Sequence, residues 1–93
     1  MMRISATTEI AGGRISTEIG KIEAASNWHA ATLKNLEAEL RQDALKALIR
    51  RAEDIDADAI VGVEYDVDAG ATAEHGVALQ RIRVRGIAVT LAA

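Results

Sequence analysis

Two short runs hold nearly all the side chains in this chain that could do chemistry together. Glu64, Asp66 and Asp68 alternate with Val63, Tyr65 and Val67, and Arg81, Arg83 and Arg85 alternate with Ile82 and Val84. A period of two reads as a pair of strands, each with one charged and one apolar face. Neighbouring carboxylates are the equipment of general acid–base catalysis, and a row of guanidinium groups suits phosphate. An antiparallel pairing with Asp66 opposite Arg83 also sets Asp68 against Arg81 and Glu64 against Arg85. Facing arginines would hold Glu64 and Asp66 ionised, which leaves no proton donor near neutral pH, and the acids would neutralise the basic row. Each opposite-charge pair contributes only about 0.2–1 kcal/mol, but a slipped register loses all three together. The ladder is therefore read as register control rather than as a reaction centre.

A second set of residues has the donor types for a metal. His75 and Glu74 fall in a loop of small residues beside the acidic strand, so they could fold back onto Asp66 and Asp68, with His29 supplied by a neighbouring subunit. The bland reading of the same residues is a solvated loop next to a salt-bridged strand. With no Cys, thiolate metal sites, disulfides and thiol nucleophiles are excluded. Asp54, Asp56 and Asp58 imitate the start of a calcium loop, but Ala59 replaces the required Gly and Tyr65 the bidentate Glu. No Ser-His-Asp spacing, phosphate loop or dinucleotide fingerprint is present. Trp28 and Tyr65 are the only aromatic residues, and Trp28 is either an anchor in the core or interface or one wall of a pocket between subunits. No catalytic residue is assigned, no cofactor is specified, and the expectation is a protein that is not an enzyme.

The elements that must position these residues are legible. At 93 residues the chain makes one domain, residues 1–93, near the size below which association with further copies is a common source of stability. Its apolar content of 49% is aliphatic, with no Phe. A formal charge of −3 with mixed signs creates no field that would gather nucleic acid. Residues 1–10 are polar and alternating where a signal peptide needs an apolar run, and no segment could span a bilayer; cytoplasmic location without membrane contact is expected.

Ile4, Ala6, Thr8 and Ile10 predict a first strand. Residues 14–23 predict a second, joined to the first as an antiparallel hairpin through Gly12 and Gly13 and bulged at Gly20. From 21 to 61 there is neither Gly nor Pro, and Leu33, Leu36, Leu40, Ala44 and Leu48 take a helical spacing. One amphipathic helix of about 24 residues, roughly 36 Å long, would cover a whole sheet. Its start is placed at Ser26 or Asn27, with Trp28 in the first turn, or later at Thr32. Asp56 is the residue expected to end it. Strands over 58–68 and 78–91 follow, and the helix should cross over between strands two and three in a parallel arrangement. The helix is assigned to the face of Val61, Val63, Tyr65, Ile82 and Val84. Gly62 then falls opposite Ile87 and Ile60 opposite Val89, so Ile60, Ile87, Val89 and Leu91 form an uncovered patch expected to be an oligomer interface. The fold class is α+β, ordered β-β-α-β-β, with one long helix on one face of a small mixed sheet.

These residues also carry a resemblance. Ala44, Leu48 and Ala52, then Ala57-Asp58-Ala59-Ile60-Val61-Gly62-Val63 and Asp66, resemble the helix-to-strand signature of the YbjQ-like, or UPF0145, family of small bacterial proteins, and Gly86-Ile87-Ala88-Val89 resembles its closing strand. The likeness covers the last half of the chain well and residues 10–23 more weakly. It implies a homo-oligomeric ring, a pentamer, of the family labelled heavy-metal-binding. Two departures stand out: the Gly-Arg-Ser segment and aromatic-acidic pair common before the helix are missing, and Asp56 stands where the family usually has Gly.

Overall fold

A computed structural model describes residues 2–10, 12–30, 37–72 and 76–92. The elements in chain order are β1 (Arg3–Ile4), β2 (Ile15–Ala25), β3 (His29–Ala30), α1 (Glu37–Asp54), β4 (Ala59–Thr72) and β5 (Ala78–Leu91). The sheet is mixed and five-stranded, ordered β1-β4-β5-β2, with β3 also on β5. The α+β class holds, with one short strand more than the sequence predicts. Because β2 and β4 both run antiparallel to β5, they are parallel to each other, as a helical crossover between them requires.

The hairpin between the first two strands does not form. Only Arg3 and Ile4 pair, parallel to Ala59 and Ile60 of β4, at the opposite side of the sheet from β2. After them the chain becomes a strap. Ser5 N–H donates to Ile60 O at 2.9 Å, Val63 N–H to Ser5 O at 3.1 Å and Gly62 N–H to Thr7 O at 2.8 Å. The hydroxyls of Ser5 and Thr7 then accept from the amides of Thr7 and Glu9 at 3.1 and 3.3 Å. Such local bonds are what Ser and Thr offer in place of a ladder, and they turn an alternating sequence away from strand structure. The strap delivers Ile10 onto the sheet, and a turn closed by Gly13 N–H on Ile10 O at 3.1 Å leads into β2.

Helix α1 has 18 residues, so it is roughly 27 Å long, while a 14-residue strand such as β4 spans roughly 46 Å. Among the described residues it therefore covers only part of the sheet, and Val67 is 55% exposed. The expected helix start at Ser26, Asn27 and Trp28 is corrected: that stretch is not helical and links β2 to β3. Ser26 N–H donates to Ile82 O at 2.8 Å and its buried hydroxyl accepts from Ile82 N–H at 3.0 Å, so it joins two strand segments instead of capping a helix. The alternative start at Thr32 lies outside the described residues. The far end is as expected. Asp56 has φ 58°, Ala57 N–H reaches Ala52 O at 2.9 Å and Asp56 N–H reaches Glu53 O at 3.0 Å, a Schellman motif with Asp in the place Gly usually takes.

Ala44, Leu48 and Ala52, one turn apart, are fully buried. They pack with Ile60, Val63, Ile82 and Val84, and full burial of a Leu or Ile contributes about 1.5–3 kcal/mol. A second cluster on the other face joins Ile10 to Ala59, Val61 and Val89, with Ile87 and Leu91 at its margin. The division of β4 between the clusters differs from the expected one. The register runs Ile60↔Ala88 and Val61↔Ile87, then slips before Glu64↔Arg85, with Gly62 at φ 61°. An extra residue there exchanges the faces: Ile60 goes to the helix side and Val61 to the other.

The proposed interface patch is corrected accordingly. Ile60 does not share a face with Ile87, Val89 and Leu91, and Val89, 1% exposed, is covered by the chain's own Ile10. Ile87 and Leu91 remain half-buried.

Candidate functional site

The face of the sheet opposite the helix divides at Gly62. On one side lies the apolar cluster under the strap. On the other the charged residues stand in the cross-strand register Glu64↔Arg85, Asp66↔Arg83 and Asp68↔Arg81, as the alternation predicts. The side chains follow this register only in part. Arg81 Nε donates to Asp68 Oδ2 at 2.9 Å, and Arg85 Nη2 to Glu64 Oε2 at 2.8 Å. Arg85 also reaches diagonally to Asp66, with Nη1 3.4 Å from Oδ2. Arg83 turns away from Asp66 and donates to Glu23 of β2, Nη2 to Oε1, at 3.1 Å.

Glu23 is the member of this network the sequence reading missed. It sits two residues from Lys21 on a strand of alternating charge, but the sequence pairs that strand with the first strand, whereas it lies beside β5. Three strands thus share one belt of ion pairs. Arg85 has its pKa raised, first by the hydrogen bond to Glu64 and then by the charges of Asp66 and Glu64. Such exposed pairs contribute little to stability; their consequence is a face whose carboxylates already have partners.

Trp28 closes the belt. Arg81 lies over its ring, 4.5 Å from the centroid, while the same guanidinium holds Asp68. The indole, 40% exposed, is therefore a surface platform rather than a core anchor. His29 pairs with Gln80 in β5. Since opposed residues share a face and successive residues alternate, His29 lies on the helix side, away from Asp66 and Asp68. Glu74 and His75 lie outside the described residues. The proposed metal set is thus not assembled among the described residues, which hold no group of three or more His, Asp or Glu placed to bind a metal. With Asp66 and Asp68 engaged by arginine and no thiol in the chain, they do not fit a soft-metal centre.

Where the belt meets the bulge, Lys21, Glu23, Gly62, Glu64, Arg85 and Ile87 line a half-open groove of about 550 Å³. Its lining includes two cations, two anions and the apolar Ile22 and Ile87. No described helix is long and apolar enough to cross a membrane.

The chain is thus a small α+β domain whose sheet carries a helix on one face and a self-paired charged belt on the other. The chain belongs to the YbjQ family, whose model, described as "Putative heavy-metal-binding", matches residues 26–92. Among curated proteins none matches. A solved structure of a protein of unknown function of the DUF74 family from Pediococcus pentosaceus ATCC 25745 is similar in fold, with a TM-score of 0.73, 20% identity and 98% of each chain covered.

Proposed function

We propose that the protein is a cytoplasmic, non-enzymatic subunit of a homo-oligomeric ring, a pentamer, that binds a ligand or partner at its inter-subunit surfaces or in its central opening. The observation that carries the reading is the belt itself. Glu23, Glu64, Asp66 and Asp68 are each engaged by an arginine, so none of these four stands free as a general base. A rigid, zwitterionic surface of this kind suits recognition by contact, and the groove over Gly62 gives it a concave place to start. The half-buried Ile87 lies in that groove and Leu91 beyond it on the same face; both are apolar positions suited to a neighbouring subunit.

Native mass spectrometry, followed by the same sample under denaturing conditions, tests this. A discrete multimer with added mass that leaves on denaturation supports a bound ligand, and a bare multimer supports the scaffold alone. A bare monomer contradicts the reading.

The family's description favours a second reading, metal binding or sequestration by His75 and Glu74 with the acidic strand end and a neighbour's His29. Asp66 and Asp68 would have to leave Arg85 and Arg81 first, so the metal must compete with two ion pairs. Stoichiometric metal retained through purification and lost on His75→Ala would favour it, and metal-free protein that takes up none would reject it.

A further inference from the structure

The outer edge of β2 is a run of 11 residues with which no described element pairs. Its main-chain directions follow from its hydrogen bonds to β5. Ser26 N–H donates to Ile82 O and Ala92 N–H to Arg14 O, both at 2.8 Å. Pairs in an antiparallel ladder alternate between facing one another and facing away. With Ile22 opposite Gly86 and Ala24 opposite Val84, those two turn their peptide groups to β5, while Lys21, Glu23 and Ala25 turn theirs outward. A long edge of this kind is a template for another strand unless it is blunted. This one contains no Pro, and Ile15 and Ile19 are 36% and 39% exposed along it.

Its charges select the partner. We propose that a second copy of this chain pairs with it, antiparallel, β2 to β2, about a two-fold axis at Ile22, which sets Lys21 opposite the partner's Glu23 and Glu23 opposite the partner's Lys21. An axis at Lys21 would oppose two lysines, and an axis at Glu23 two glutamates, both unfavourable. The register slip between Glu18 and Gly20 keeps Glu18 on the face of Lys21, and in the Ile22 register it meets the partner's Ala25, with no like charge. An axis between Ile19 and Gly20 would match Glu18 with Lys21 as well, but it runs at once into the second slip, between Ile15 and Thr17. The contact is isologous, whereas a ring closes by heterologous, head-to-tail contacts. The edge therefore doubles whatever assembly forms elsewhere on the subunit.

Charge exchange at the axis tests the pairing by sedimentation equilibrium. The native protein is expected to hold an even number of subunits. Lys21→Glu, which disturbs no described ion pair, and Glu23→Lys should each halve the mass or weaken the doubling at least tenfold. The Lys21→Glu, Glu23→Lys double variant should restore it, as should mixing the two single variants, whose edges are complementary to each other. An odd subunit number, single variants of unchanged mass, or a double variant that stays at half mass would overturn the proposal. The ring reading fails separately, through the subunit number that remains after halving.

Discussion

The two ends of the β4–β5 hairpin differ in how they satisfy the same sheet face. At the end near the strap, Ala59, Val61 and Val89 are covered by Ile10 of their own chain. At the other end, Glu64, Asp66 and Asp68 face outward and pair with Arg85 and Arg81, while Arg83 beside them pairs with Glu23 of β2. One strand serves both because a single extra residue at Gly62 shifts the phase of its alternation. The lesson is that a strand's apolar and charged halves can be given to opposite purposes without a break in the sheet, provided a residue that tolerates a left-handed backbone sits between them.

Substitutions that break this division have effects of graded size. Gly86 lies beneath Ile60, and a Cβ added there would come within 2.6 Å of Ile60 Cγ2 and 3.2 Å of Val61 O. That clash exists only because the bulge sends Ile60 to the helix side. Gly86→Val should destabilise by about 3 kcal/mol in denaturant unfolding, and a near-neutral result would return Ile60 to the opposite face. Ile10→Ala should cost about 2 kcal/mol and speed hydrogen exchange at the Gly62 and Val63 amides, which the strap holds. Unchanged exchange would mean that the strap does not depend on Ile10.

Gly62 has open space where a Cβ would stand, so Gly62→Ala should show only the conformational cost of its positive φ, about 1 kcal/mol. Smallest are the charge effects. A double-mutant cycle between Arg83 and Glu23 should give a coupling of about 0.5 kcal/mol, and the cycle between Arg83 and Asp66 close to none. The reverse order would restore the simple ladder of facing pairs.

Much of this was readable from residue order, and the failures have physical causes. The alternation of Glu64 to Asp68 against Arg81 to Arg85 fixed the backbone register correctly, and Asp56 ended the helix by the geometry its side chain tolerates. Alternation continued unbroken through Gly62 puts Ile60 on the wrong face; a lone Gly inside a strand is itself a signal for a bulge, at Gly62 as at Gly20. The first strand was overextended because Ser5 and Thr7 bond their own backbone, a local competitor that period-two counting does not see. Ser26 and Asn27 looked like caps because a cap and a strand junction ask the same thing of a short polar side chain, an oxygen aimed at an amide. Glu23 alternates visibly with Lys21, but nothing local says that its strand lies beside β5, so its partner is not legible in the sequence.

The exchange of faces at Gly62 is most directly tested by methyl nuclear Overhauser contacts in the assigned protein. The account predicts contacts from Ile60 to Leu48, and from Val61 to Ile10 and Val89. Contacts from Val61 to Leu48, with Ile60 against Val89, would contradict it.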